Sequence, residues 1–265
     1  MRFLVANDDG IFAPGLRALA EALAARGEVK VIAPEREQSA AGHAVTLHKP
    51  LRLVPVSLSG LDVEAYASNG TPADCVALGT IDPEDLPDMV FSGINEGANL
   101  GEEVLYSGTA SAAMEGAMYD IPSFALSIAT EGRPARFDTA ARLVHWLVDC
   151  FPRGAACRAG FFNVNVPNLP PEEIAGIEIT RLGHRRYVNR LSRREDPRGR
   201  PYYWFAGEPL ERDARPGTDL AAVQAGRVSI SPLHFDLTSH GDIDRLSAAV
   251  RGRQAPDFGP GAANP

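Results

Sequence analysis

The opening 34 residues restrict the fold more than any other stretch. Phe3 to Ala6 is a short apolar run of the kind buried on both faces of a parallel sheet, and it stops at Asn7-Asp8-Asp9-Gly10. Pro14 suits a first helical turn; Leu16, Leu19, Ala20 and Leu23 follow helical spacing, and Gly27 ends the pattern. Val29 to Ala33 is a second apolar run, closed by Pro34. Strand, helix and strand over so short a span make a right-handed βαβ unit. The expected fold is therefore α/β: a Rossmann-like, doubly wound, mostly parallel sheet with a smaller β-rich arm behind it.

In such sheets ligands bind beyond the carboxyl ends of the strands, and the paired aspartates fall there. Adjacent side chains on an extended chain diverge, so the two carboxylates meet only if the backbone turns, which Gly10 permits through positive φ. Brought together they repel unless a proton or a cation lies between them. Asp8 and Asp9 are read as ligands of a hard divalent metal.

Further along, residues 44–56 and 61–67 alternate loosely and are expected to form a hairpin laid beside the sheet. Thr71-Pro72 opens a helix to about Leu78. Asp88 to Phe91 is a third parallel-type strand, entering a Gly- and Asn-rich loop at 92–101. Tyr106-Ser107-Gly108-Thr109 precedes a small-residue helix over 110–119; a strand over 123–128, a helix over 135–151 and a strand over 161–166 follow. After Pro167 the character changes, with eight arginines in 181–200. Strands near 202–206 and 228–231, a short helix from Thr218-Asp219 and a helix over 242–250 complete the pattern. The expected division is a catalytic core over 1–170, an arm and oligomerisation region over 171–250, and a disordered tail over 251–265 rich in Pro, Gly and Ala.

Composition removes several functions. A net charge of −8 argues against a stable nucleic-acid complex or binding to an anionic membrane. No apolar run approaches the ~18 residues of a membrane span. Cys75, Cys150 and Cys157 fit no metal or redox spacing and are read as reduced thiols of a cytoplasmic protein.

Four polar loops fall at strand ends or helix starts: 7–10, 38–43, 92–101 and 106–111. Asp8 and Asp9 offer anionic oxygens, Ser39 and Asn95 neutral ones; an all-oxygen set favours Mg²⁺ or Mn²⁺ over Zn²⁺. The N–H groups around Ser107, Gly108 and Thr109, at a helix start, suit phosphate, with the two hydroxyls as further donors and Asn95 nearby. Asn7 is placed to help position the phosphate or the nucleophile. Each residue alone has a plainer reading: Asp8, Ser107 and Thr109 as helix caps, Ser39 as a turn residue, Asn95 as a left-handed turn residue. His43 is read as a surface or hydrogen-bonded residue, and the arginine run as a solvated or oligomer-facing arm.

Taken together, Asn7-Asp8-Asp9-Gly10, Ser39, Ser92-Gly93-Ile94-Asn95 with Gly97 and Asn99, and Tyr106-Ser107-Gly108-Thr109 with Ala112 to Gly116 resemble the SurE survival-protein family. Asn163-Val164-Asn165-Val166-Pro167 and Ser229-Ile230-Ser231-Pro232-Leu233 extend the resemblance to about residue 235. It implies metal-dependent 5′-nucleotidase activity on nucleoside monophosphates, with one divalent metal per subunit held by Asp8, Asp9, Ser39 and Asn95. It also implies a homodimer or homotetramer built through the arm. Ala110-Ser111 departs from the more usual Val-Gly. The broader alternative is a phosphatase that also takes 3′-nucleotides or short polyphosphate; a non-catalytic ligand-binding protein is the other. Attack by water and attack by Asp8 through an aspartyl-phosphate both fit these residues. A dinucleotide oxidoreductase would want G-x-G-x-x-G after the first strand, and a haloacid-dehalogenase-like phosphatase Asp-x-Asp, whereas here the two acids after that strand are adjacent.

Overall fold

The computed structural model describes residues 1–151, 160–188, 191–205, 208–212, 214–251 and 253. Cys157, Arg190 and the tail from Gln254 lie outside them. The chain divides into two compact units, Met1–His234 and Phe235–Pro265.

In chain order the first unit holds β1 (Arg2–Ala6), α1 (Pro14–Ala24), β2 (Glu28–Pro34), β3 (Leu53–Pro55), β4 (Glu64–Ser68), α2 (Pro72–Gly79) and β5 (Met89–Glu96). Then come α3 (Gly108–Met118), β6 (Ser123–Ala129), α4 (Phe137–Cys150), β7 (Phe161–Pro167), β8 (Ile177–Ile179) and β9 (Arg185–Val188). The last elements are β10 (Leu191–Glu195), β11 (Pro201–Phe205), β12 (Glu208–Arg212), α5 (Asp219–Gln224) and β13 (Val228–Leu233). The second unit contributes α6 (His240–Val250).

Nine strands form one sheet in the order β3-β4-β2-β1-β5-β6-β7-β13-β8. From β4 to β7 every neighbour is parallel; β3 and β13 run antiparallel to β4 and β7. Strand alternation sorts the core. Phe3 and Val5 of β1 pack with Leu16, Leu19 and Leu23 of α1 and with Val144 and Leu147 of α4, whereas Leu4 and Ala6 pack with Cys75 and Val76 of α2 and Ala112 of α3. Phe91, Phe124 and Phe162 sit opposite one another on β5, β6 and β7, stacked at 4.9 and 5.0 Å. Offset stacking adds about 0.5–1.5 kcal/mol per pair beyond burial. On the other face α3 lies close because it is built from small residues; a Cβ at Gly116 would stand 2.4 Å from Ser123 Oγ.

Residues 44–56 and 61–67 do give an antiparallel hairpin, β3 with β4, but only Leu53–Pro55 of the first segment is a strand, and the hairpin lies within the main sheet, β4 parallel to β2. Pro50 has no N–H to give a ladder, and the approach is tied by side chains instead: Arg52 N–H donates to Asn69 Oδ1, and Asn69 Nδ2 to Pro50 O. The expected division near residue 170 falls inside the first unit, because β8 and β13 return to the main sheet. Val228 to Ser231 is buried on both faces, as a central strand must be. Only β9–β12 stand outside that sheet, as two antiparallel ribbons, β10 with β11 and β12 with β9. No helix among the described residues is long and apolar enough to cross a membrane.

Candidate active site

From β1 the sheet grows in two directions, through α1 to β2 on one side and to β5 on the other. This is the topological switch point of a doubly wound sheet, the crevice where such folds bind ligands. The turn after β1 occupies it. Asn7 is buried and shapes the turn: its Nδ2 donates to Gly10 O at 3.0 Å, and its Oδ1 accepts Gly10 N–H at 3.1 Å. These two bonds shape the turn that carries both aspartates and leave one Nδ2 hydrogen over. Gly10 has φ of 101°, the left-handed conformation that lets the chain reverse here.

Asp8 is buried and points at the start of α3. Its Oδ1 accepts the Thr109 hydroxyl at 2.5 Å, and the N–H groups of Gly108 and Thr109 also favour its charge. The approach requires glycine, since a Cβ on residue 108 would stand 2.7 Å from Asp8 Cβ. Burial nevertheless dominates and raises the Asp8 pKa. Asp9 is pushed up to about 6, first by burial and then by the negative charges of Asp8, Glu37 and Glu96; the Glu96 N–H pulls it back a little. No cationic side chain among the described residues figures in either shift.

The Thr109 hydroxyl and the first N–H groups of α3 face the Asp8 carboxylate, and Ser107 caps the helix, its Oγ accepting Ala110 N–H at 3.0 Å. Thr109 is a positioning residue here. Thr109→Val removes the hydroxyl and keeps the shape; we expect kcat for phosphoester hydrolysis to fall about 10–100-fold, the usual scale for such supporting contacts, with unchanged circular dichroism. A fall below threefold counts against this role.

Asn95 lies at the end of β5, after a bulge in its pairing with β6 between Ser92 and Asn95. The bulge depends on Gly93, with φ of 129° and no room for a Cβ, which would stand 2.3 Å from Leu126 O. Asn95 Nδ2 donates to Gly97 O at 2.8 Å, which leaves Oδ1 as the atom able to ligate a cation. Ser39 is exposed and donates to Glu37 Oε1 at 2.6 Å; its loop is tied to the site by Gln38 N–H donating to Asp8 O at 2.7 Å. His43 bonds Glu115 on α3 at 2.7 Å, fastening the same loop as a latch.

A hard divalent cation fits this donor set. Among the described residues no three His, Cys, Asp or Glu side chains form a ready-made cage. What is present is two carboxylates with a hydroxyl and an amide oxygen from neighbouring loops, oxygen donors throughout. The raised pKa of Asp9 registers an excess of negative charge that a divalent ion would offset.

Four supporting residues carry no role in the sequence reading. Glu37 and Glu96 act on Asp9, and their charge within or beside the polar loops was the available signal. Asn99 is clamped by β6 and β7: its O accepts Asn163 Nδ2 and Asn165 Nδ2, its N–H donates to Asn165 Oδ1, and its Nδ2 donates to Ser127 Oγ. Asp219, buried at the start of α5, accepts the N–H groups of Gly101, Gly183 and Leu220, each at 2.8 Å, and so ties the 92–101 loop to the root of the arm. Nothing in the local sequence around Asp219 announces so distant a bond.

Comparison with known proteins fits this arrangement. Residues 3–189 match the family described as Survival protein SurE. A 5′-nucleotidase SurE of Moorella thermoacetica is 51% identical over 251 residues, 94% of this chain and 95% of the relative. That of Heliobacterium modesticaldum is 47% identical over 260 residues, 97% of this chain and 94% of the relative. The crystal structure of the SurE protein from Aquifex aeolicus, 43% identical, superposes with a TM-score of 0.81 over 94% of this chain and 99% of its own. The turn at Asp8 and Asp9, the bulged β5 and the sheet order thus sit in a chain that matches these relatives almost end to end: it belongs to the SurE survival-protein family.

Proposed function

We infer that this chain is a nucleotidase, a phosphomonoesterase that hydrolyses the 5′-phosphate of nucleoside monophosphates to nucleoside and inorganic phosphate. The observation that carries the reading is the Asp8–Asp9 pair at the switch point, Asp8 buried and Asp9 half-buried, in a chain whose relatives are named 5′-nucleotidase. Asp8, Asp9, Asn95 and Ser39 are the residues that would hold a divalent cation, Mg²⁺ or Mn²⁺ by the chemistry of their oxygens. Bound there, such an ion supplies Lewis acidity toward phosphoryl oxygens and acidifies a coordinated water. The protein's own part is preorganisation. Asn7 and Gly10 shape the turn, Thr109 and Gly108 fix the Asp8 rotamer, and the end of β5 past the bulge at Gly93 meets Asp9 through the Glu96 N–H. None of these groups has to reorganise as charge develops on the phosphoryl group. The reading extends to a cytoplasmic homodimer or homotetramer.

A phosphate-release screen of nucleotides tests it. Chelation with EDTA is expected to abolish turnover, and Mn²⁺ or Mg²⁺ to restore it. Full activity in EDTA rejects the metal; no release from any nucleoside monophosphate rejects the nucleotidase.

A further inference from the structure

Immediately beyond Asn95, a cleft of about 590 Å³ opens at the carboxyl ends of β5 and β6. It shares a residue with the site. Gly97, whose carbonyl accepts Asn95 Nδ2 and whose N–H donates to Ile128 O, forms one wall. Leu100, Leu220 and Val223 give apolar walls, the last two from α5, while Thr130 and Gln224 bring a hydroxyl and an amide. Gly97 and Gly132 both have positive φ, and a Cβ at Gly132 would meet nothing within 4 Å, so that wall leaves room for a flat ligand.

The chemistry of this lining narrows its occupant. Among the described residues Glu131 is the one charged group lining it, with no cationic side chain for a phosphate. Apolar walls with a few hydrogen-bonding groups suit an uncharged, flat, heteroaromatic ligand, and the volume lies in the range of small-molecule sites. Parallel strands stand about 4.8 Å apart. The end of β6 is therefore two strands from the aspartates on β1, a step of about 10 Å.

We propose that this cleft receives the nucleoside part of the substrate, its base between Leu100, Leu220 and Val223 and its edge within reach of Thr130 and Gln224, while the phosphate lies at Asp8, Asp9 and Asn95. The proposal rests on the nucleotidase reading above. Base recognition then depends on α5, a helix that Asp219 ties to the 92–101 loop.

Val223→Arg fills the cleft, and kinetics for AMP and for p-nitrophenyl phosphate should be followed side by side. The expected result is a fall in kcat/KM at least tenfold larger for AMP than for p-nitrophenyl phosphate, carried by KM. Gln224→Ala, at an exposed position, repeats the test with a fold-neutral change and an expected threefold rise in the KM for AMP. Adenosine alone should raise the Tm of the parent protein and not that of Val223→Arg. Equal losses on both substrates, or no loss on either, overturn the assignment. Absence of turnover of every nucleoside monophosphate by the parent protein, with p-nitrophenyl phosphate still hydrolysed, rejects the nucleotidase reading itself.

Discussion

Asp8→Asn is expected to lower kcat for nucleoside monophosphate hydrolysis by about a thousandfold or more, the scale of removing a preorganised charge from a reacting centre. The fold should survive, because the amide oxygen still accepts the Thr109 hydroxyl. Asp9→Asn should lose activity comparably but carries a second consequence. In the metal-free protein Asp9 is held at about 6 by burial and by Asp8, Glu37 and Glu96, so at neutral pH its charge opposes folding. A carboxylate whose folded pKa lies above its unfolded value makes the folded state bind protons more tightly. The penalty is present in full above pH 6 and fades as pH falls toward 4. Two pKa units correspond to about 3 kcal/mol, which partial solvent exposure reduces to about 1–2 kcal/mol. In EDTA at pH 7.5 Asp9→Asn should therefore melt higher than the parent, with the difference vanishing near pH 4. An unchanged or lower Tm at pH 7.5, or near-normal turnover for either mutant, rejects the assignment.

Gly15→Ala is expected to be severe although the residue carries no chemistry of its own. A Cβ there would lie 1.9 Å from Ile94 O, backbone that cannot rotate away. Helix α1 must then lift from β5, or β5 must shift and take Asn95 with it. Overpacking a core typically costs about 1–3 kcal/mol, and an encounter with backbone belongs at or above the top of that range. For a unit of this size about 3 kcal/mol lowers Tm by roughly 6–12 °C. Urea unfolding measures the loss directly; a change below 1 kcal/mol means that the helix has more slack than the geometry allows.

The parallel strands, their helices and the place of the two aspartates were legible because each rests on a local signal: apolar runs, helical spacing, Pro14 and Gly27 as start and stop. Asp8 and Asp9 stood out because two acids before a glycine have few structural uses. Distance in the chain hid the rest. That Thr109 faces Asp8 depends on how α3 docks, across 101 residues. That Asp219 holds Gly101 spans 118 residues, and no periodicity reports it. The placement of β8 and β13 in the main sheet was missed for the same reason: an arginine-rich insertion separates them from one another, and the change in composition looked like a boundary.

The late return of β13 bears on how the protein is made. Its partner β7 is complete some sixty residues earlier, and until the final strand emerges one side of β7 offers unpaired amides beside Asn163 and Asn165. A nascent chain on the ribosome therefore waits with a sticky margin exposed, and Asp219 is not yet synthesised to secure the 92–101 loop. Shortened versions ending near residue 170 keep that margin permanently and would be prone to clumping. For anyone trimming the chain for expression, the safe limit lies beyond Leu233.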